Sequence, residues 1–144
     1  MPVIRKSLSD CPCYRIKATD TNYFVLLADP AVDAVSWVTV VEIFEPGGAT
    51  PPNAHVRAWE QFVVLAGEGR AFCDGRMSPL VRGDILIVPP GLTHVVENIG
   101  PGKLYCLTTM MPDEEFAALI RAGIPTALTD EDLRVLGSGL GEPA

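Results

Sequence analysis

Short apolar runs, each bounded by turn residues, are the feature of this sequence that most limits the folds open to it. Glycine and proline occur 13 times each, in clusters such as Pro46-Gly47-Gly48 and Pro89-Pro90-Gly91. Apolar runs of this length between such clusters are typical of β-strands joined by tight turns. The pattern predicts strands at 14–17, 23–27, 36–44, 61–65, 70–73, 85–88, 93–97 and 104–110.

Several of these runs are apolar on both faces of the strand. In 61–65, Phe62 and Val64 lie on one face, while Val63 and Leu65 lie on the other, and 85–88 contains no polar residue. A strand that buries both faces needs a second sheet or a barrel interior against it. The sequence therefore predicts an all-β sandwich or barrel.

Helical patterns appear only near the C-terminus. An acidic first turn at 113–115 precedes an apolar stripe, and a second short helix is expected to start at Thr129. We predict a single domain, 1–144, with a helical segment at 112–136 and a loose tail at 137–144. The expected buried helix residues are Phe116, Leu119, Ile120, Leu133 and Leu136.

Charge and composition exclude some classes of partner. The formal net charge of −7 disfavours nucleic acid, because an acidic surface repels phosphate. No apolar stretch approaches the length of a membrane span, and the N-terminus lacks the apolar core of a signal peptide. We therefore expect neither nucleic acid nor membrane as partner, and a cytoplasmic location with the 4 cysteines reduced.

The chain has only 2 histidines, His55 and His94, and both lie in segments that carry polar residues among apolar ones. His55 and Glu60 are five positions apart, so they share a strand face only if the alternation breaks between them, which we place at Ala58-Trp59. If these faces look into one barrel with that of His94, two imidazoles and a carboxylate converge. Such a set can hold Fe, Mn, Co, Ni or Zn and leave positions open for a substrate.

These segments resemble the two motifs of the cupin superfamily and cover a motif core at 47–98. The second segment matches the family pattern at Gly83, Pro89, Gly91, His94 and Asn98, and the first matches it at Gly47, His55, Glu60 and Gly67. The resemblance implies an RmlC-like jelly roll, or double-stranded β-helix, with a divalent metal in the barrel mouth. It also implies frequent dimerisation, and we expect a homodimer because exposed apolar sheet edges favour pairing.

Asn53 departs from the family pattern, which has a metal-binding histidine at this position. An asparagine carbonyl oxygen is a weaker and harder ligand than imidazole, and it can coordinate directly, through water, or by orienting a ligand. The three ligands His55, Glu60 and His94 are enough for a catalytic zinc or non-haem iron site. The competing interpretation of Asn53 is a turn-forming residue after two prolines.

Three further residues are predicted to line the substrate pocket. Arg57 shares a face with His55 in an extended segment and is a candidate for holding an anionic group of the substrate. Phe62 lies on the same strand face as Glu60, and Tyr105 belongs to a predicted strand. The competing interpretations are a solvated arginine and ordinary core aromatics.

The leading functional hypothesis is a metal-dependent enzyme acting on a small organic molecule. The resemblance leaves dioxygenase, isomerase and lyase chemistry open, and the two-histidine, one-carboxylate set favours iron and oxygen chemistry. The alternative is a non-catalytic small-molecule binding or sensing protein, metal-free if the change at Asn53 removes the metal.

Overall fold

The computed structural model describes residues 2–137 and consists of two antiparallel sheets that share one core. The larger sheet has the strand order β10-β1-β2-β3-β9-β4-β7, and the smaller has the order β6-β5-β8. The strands are β1 (Cys13–Arg15), β2 (Asn22–Ala28), β3 (Val38–Phe44), β4 (Trp59–Ala66), β5 (Glu68–Cys73), β6 (Arg76–Val81), β7 (Ile85–Val88), β8 (His94–Asn98), β9 (Leu104–Met111) and β10 (Ile124–Pro125). This architecture confirms the all-β prediction.

Helices are few and short. A 3-10 helix, Leu8–Asp10, precedes the first strand, α1 (Pro30–Asp33) follows β2, and α2 (Phe116–Arg121) and α3 (Asp130–Val135) follow β9. No described helix has the length and apolar character that crossing a bilayer requires.

The inner face of the larger sheet packs against the smaller sheet and against α2. Phe44, Phe62, Val64 and Leu104 of the larger sheet contact residues of β5, β6 and β8 in one buried cluster. At the other end of the interior, strand residues pack on Ala117 and Ile120 of α2, which closes that end. The strands of this second cluster contribute Phe24, Leu26, Val38, Val40 and Met110.

The outer face of β2 and β3 is also buried, because the chain termini cover it. Tyr23, Val25, Val41 and Ile43 pack against residues of the 3-10 helix and of the α3 region, including Leu8, Leu128 and Leu136. Asp132 of α3 is fully buried and accepts hydrogen bonds from Tyr23 (2.7 Å) and Tyr105 (2.7 Å). Both faces of β2 and β3 are therefore buried, although the sequence prediction named 61–65 and 85–88 rather than these strands. In 61–65, Phe62 and Val64 are buried, and the opposite face is half-buried at Val63 and Leu65.

The same prediction is wrong for β7. Ile85 and Ile87 are 62% and 58% exposed, whereas Val88 is buried against the core. The apolar run 85–88 lies at the edge of the larger sheet, beyond the region that the termini cover, so only one of its faces is enclosed.

The helices differ in detail from the sequence prediction. Helix α1 and the 3-10 helix were not predicted, because the sequence pattern placed helices only near the C-terminus. Helix α2 begins at Phe116 rather than at 112, because Glu114 and Glu115 adopt left-handed backbone conformations. Leu119 is exposed rather than buried.

Helix α3 begins as predicted, with a capping box between Thr129 and Asp132. Leu133 and Leu136 are half-buried. Gly137 follows the helix with a φ of 82°, a common way for a helix to end. The rest of the predicted loose tail, 138–144, lies outside the described residues.

Candidate metal centre

Glu60 lies between the chain's two histidines inside the barrel. Its Oε1 is 2.7 Å from Nε2 of His94 and 3.2 Å from Nε2 of His55. Glu60 is on the inner face of β4 and His94 is the first residue of β8, so the facing sheets bring these side chains together. One ligand atom from each residue lies within 4.8 Å of the others, so the three side chains are grouped closely enough to be candidates for holding one ion.

A bend at Val56 and Arg57 brings His55 to the same side as Glu60. The carboxylate of Glu114 holds this bend by accepting hydrogen bonds from the backbone N–H groups of Val56 (3.3 Å), Arg57 (3.0 Å) and Ala58. The break in alternation that the sequence requires is thus present, just before the predicted Ala58-Trp59.

The histidines keep the Glu60 carboxyl ionised. Burial alone raises its pKa, but hydrogen bonds from His55 and His94, with their charges, outweigh that effect and lower the pKa. Burial acts on His94 in the opposite sense and lowers its pKa, yet the hydrogen bonds to Glu60 and to the Leu92 carbonyl raise the pKa overall. The centre therefore favours a charged carboxylate, which is the form that binds metal.

Two further features of the centre fit a metal ion. Nδ1 of His94 lies 3.0 Å from the Leu92 carbonyl oxygen and donates its proton there, so a metal ion would take the place of the Nε2 proton that His94 donates to Glu60 in the metal-free centre. Asn53 is paired through its backbone to His94, and its side-chain oxygen Oδ1 is buried without a hydrogen-bond partner among the described residues. Buried oxygens normally have partners, so this one is available to an ion or to a group bound beside it.

A cavity of about 420 Å³ opens directly onto this centre. Asn53, His55 and Glu60 are among its lining residues, and most of its surface is apolar. The apolar lining residues are Ile16, Phe24, Pro51, Met110, Phe116 and Leu119. Its size and mixed lining suit a small organic ligand.

Comparison with known families identifies the fold. The family model described as "Cupin domain" matches residues 40–110, a range that contains His55, Glu60 and His94. Residues 40–110 of the chain form a cupin domain. This confirms the resemblance that the two sequence segments carry.

Plant germins are among the relatives of this cupin. It is 39% identical over 104 residues to germin-like protein 5-1 of Oryza sativa subsp. japonica, covering 60% of this chain and 45% of the relative. It is 33% identical over 107 residues to oxalate oxidase 1 of Hordeum vulgare, covering 64% and 53%. The chain thus spans about half the length of these curated relatives.

Solved structures share the fold at low sequence identity. A predicted oxalate decarboxylase from Thermotoga maritima superposes with a TM-score of 0.66 at 20% identity, covering 76% of this chain and 99% of that one. An RmlC-like cupin from Shewanella frigidimarina superposes with a TM-score of 0.63 at 21% identity, covering 77% and 92%. These likenesses establish the fold of this cupin and leave its activity open.

The predicted pocket residues of this cupin have different locations. Phe62 is fully buried in the core below the centre, with its ring centroid 6.4 Å from that of His94. Arg57 is exposed and does not line the described cavity, so its substrate role stays a prediction that the geometry does not support. The placement of Tyr105 in the pocket is wrong: its side chain is on the outer face of β9, where its hydroxyl donates to Asp132.

Two functional candidates, Glu42 and Glu114, are absent from the sequence prediction. Both line the cavity. Glu42 is a lone acid within the apolar run Val38–Phe44, a pattern that marks a costly buried charge and was a usable signal. In the sequence, Glu114 is typical of the acidic first turn of a helix. Only the tertiary structure brings its carboxylate to the bend after His55.

We expect the variant Asn53→His to bind zinc and nickel more tightly, by about 10- to 100-fold. The substitution places an imidazole beside the three existing ligands, where Oδ1 of Asn53 has no partner. Competition titration with a chromophoric chelator measures the change, and Asn53→Ala provides the comparison for simple loss of the amide. Equal affinities in all three proteins would contradict the placement of Asn53 beside the metal.

Proposed function

We propose that this cupin is a metal-dependent enzyme acting on a small organic molecule. The observation that carries the proposal is the shared contact of Glu60 Oε1 with His55 and His94 at the end of an apolar cavity. Two imidazoles, one carboxylate and a nearby amide oxygen are a donor set for Fe, Mn, Co, Ni or Zn. This is the divalent cofactor that the sequence predicts, with its identity left open.

Some residues of the chain would hold the metal, and others would shape the ligand site. His55, Glu60 and His94 would hold the ion, and Glu114 would fix the backbone bend that aims His55. Phe24 and Phe116 would exclude water from the ligand. When bound, a divalent metal supplies Lewis-acid polarisation and, in the case of iron, activation of oxygen.

Oxygen-dependent chemistry is the reaction class that we favour. The donor set suits non-haem iron, and one relative carries the name oxalate oxidase. Isomerase and lyase chemistry are the other classes expected from the sequence, and a solved cupin from Silicibacter pomeroyi that shares the fold is titled a sugar phosphate isomerase.

The test of this proposal is the metal content of the untagged protein, purified without chelators and measured by mass spectrometry. We expect about one transition-metal ion per chain, and iron would direct the substrate screen to oxygen consumption. Protein that stays metal-free after reconstitution with iron, manganese, cobalt, nickel and zinc would contradict the proposal.

The second candidate function is non-catalytic binding or sensing of a small molecule. It is favoured by a specific observation, the asparagine at position 53 where the family pattern has a histidine. Saturable binding of small molecules by the metal-free protein would support this alternative. The expected cytoplasmic location is common to both functions and stays a prediction.

We also propose that the protein is a homodimer that pairs through the outer face of β4, β7 and the end of β9. This face carries Trp59, Ile85, Ile87 and Met111, each at least half exposed. The strand register places them on one side of the sheet, because Trp59 lies opposite Met111, Gln61 opposite Ile87 and Val63 opposite Ile85. Burying a continuous apolar face against a second copy removes it from water.

We expect the wild-type protein to sediment as a dimer and the variant Ile87→Asp to sediment as a monomer. An aspartate in the centre of the proposed interface would be buried without a partner. Val32→Asp is the matched control, because Val32 is exposed on α1, away from this face. A wild-type monomer, or a dimer that Ile87→Asp leaves intact, would contradict this interface.

A further inference from the structure

A second groove of about 660 Å³ shares lining residues, Glu42 among them, with the cavity at the metal centre. Glu42 is on the inner face of β3 and lines both spaces, together with Phe24 and Thr50. The space between Glu42 and the metal ligands is hereafter the inner arm, and the space beyond Glu42, which Lys17 and Asp20 border, is the outer groove. Glu42 thus stands at the junction.

Only one oxygen of the buried Glu42 carboxyl is used within the protein. Oε2 accepts a hydrogen bond from Nδ2 of Asn22 at 3.0 Å, and the amide orientation is set because Oδ1 of Asn22 accepts from the Thr21 hydroxyl. Oε1 has no hydrogen-bond partner among the described residues, although Glu42 is 96% buried, with 4% exposed. An unpaired polar atom on a cavity wall is a site where a ligand atom gains a hydrogen bond.

The inner arm is apolar, and its charged lining residues are acidic. Glu42, Glu60, Glu114 and Glu115 are the carboxyl groups among its described lining residues, which include neither lysine nor arginine. A divalent ion would offset part of this charge at one end of the arm. Away from the ion, an anionic group would meet acids and apolar side chains, and it would lose its hydration without gaining a cation.

We propose that the inner arm binds an uncharged, largely apolar portion of the ligand and that Oε1 of Glu42 hydrogen-bonds to an oxygen atom of that portion. This inference rests on the proposed function, because it assumes that the ligand's other end is at the metal centre. It specifies the substrate class as a small oxygenated molecule whose negative charge, if it has one, is confined to the metal end. Small dicarboxylates are disfavoured.

The surroundings of Glu42 support its role as a donor. Burial, the larger cause, and the charge of Glu60 on β4 raise the pKa of Glu42 to about 8, against the lowering effect of the hydrogen bond from Asn22 on β2. An ion bound at Glu60 would offset the second cause and leave burial to favour the neutral carboxyl. On β9 the group directly opposite is Cys106, whose thiol pKa is itself raised by burial and by Glu42. Because the Asn22 amide can only donate to Oε2, the proton of the neutral carboxyl is on Oε1, which is the oxygen left for the ligand.

Three probes of similar length test this assignment. They are 2-oxoglutarate, its 5-methyl ester and 2-oxohexanoate, and all three share the 2-oxo acid end. The tail is anionic in the first, uncharged but oxygen-bearing in the second, and apolar in the third. Calorimetry on the zinc-loaded protein measures each dissociation constant. We expect the ester to bind tightest, the apolar tail about fivefold more weakly and the dianion at least about tenfold more weakly than the ester.

Variants at Glu42 test whether this residue causes the expected order of probe affinities. In Glu42→Leu the ester and 2-oxohexanoate are expected to bind equally, whereas Glu42→Gln keeps an N–H donor and retains the preference for the ester. Lys17→Met is the control for the outer groove and is expected to leave the order unchanged, because Lys17 borders only that groove.

Tightest binding of 2-oxoglutarate by the wild-type protein would overturn the inference, whether or not the Glu42 variants fold. An ester preference that persists in a folded Glu42→Leu protein would also overturn it. Failure of the proposed function would give a different result. In that case Glu60→Ala would bind all three probes with the same affinities as the wild-type protein. The order of the tails in that variant would still report on Glu42.

Discussion

Replacing Asp132 with alanine is expected to lower the free energy of unfolding by about 3–5 kcal/mol, among the largest single-residue effects in this protein. Asp132 is a fully buried residue of α3. It accepts hydrogen bonds from two tyrosine hydroxyls, from Lys103 (3.1 Å) and from the Thr129 backbone (3.0 Å). Alanine would leave the Lys103 ammonium and the hydroxyls of Tyr23 and Tyr105 without their common acceptor. Urea denaturation followed by circular dichroism measures the change.

The matched control is Asp130→Ala, because Asp130 lies two positions before Asp132 in the same helix and is exposed. It loses only a favourable interaction with the helix dipole, which contributes about 0.3–1 kcal/mol. Equal destabilisation of the two variants would contradict the role assigned to the buried network.

The same network makes the free energy of unfolding depend on pH, and the direction of the pKa shift determines the sign. Burial alone raises the pKa of Asp132, but hydrogen bonds from Thr129, Tyr23, Tyr105 and Lys103 outweigh it and hold the pKa below its ordinary value of 3.8. A lowered folded-state pKa means that the network's contribution is present above pH 3.8 and is lost as the pH falls through the folded-state value. Asp132→Ala should therefore lose less stability on acidification than the wild-type protein.

The sequence was sufficient to predict that His55, Glu60 and His94 meet inside the barrel, because two constraints agreed. Alternation along a strand required a break between His55 and Glu60, and the spacing of the motif residues identified the family whose barrel turns those faces inward. The structure supplies the break as a bend held by Glu114. That residue is 58 positions from Val56, and nothing in the local pattern relates the two.

The errors arise where burial depends on distant parts of the chain. Tyr105 and Ile87 both belong to predicted strands, and both have outward-facing side chains. Tyr105 is covered because α3 docks over it through Asp132, whereas Ile87 lies beyond the covered region and stays exposed. Alternation determines which residues share a face, but it does not determine which part of that face another segment covers.

The proposed metal ligands are tested most directly by Glu60→Ala, which we expect to lose nearly all of the metal that we propose for the wild-type protein. Glu60 is the anionic member of the set, and its Oε1 is the atom that both histidines contact. Alanine would leave two imidazoles and a neutral amide, a set too weak to retain a divalent ion through purification.

Metal content and thermal stability together give this prediction two independent readouts. At a free metal concentration 100 times the dissociation constant, binding stabilises the wild-type protein by about 2.7 kcal/mol, and the variant should gain nothing from the same addition. Glu68→Ala, which removes an exposed acid from β5, is the control and should behave as the wild-type protein does. Wild-type metal content in Glu60→Ala would place the ion elsewhere and leave Glu60 as the buried ion-pair partner of His55 and His94.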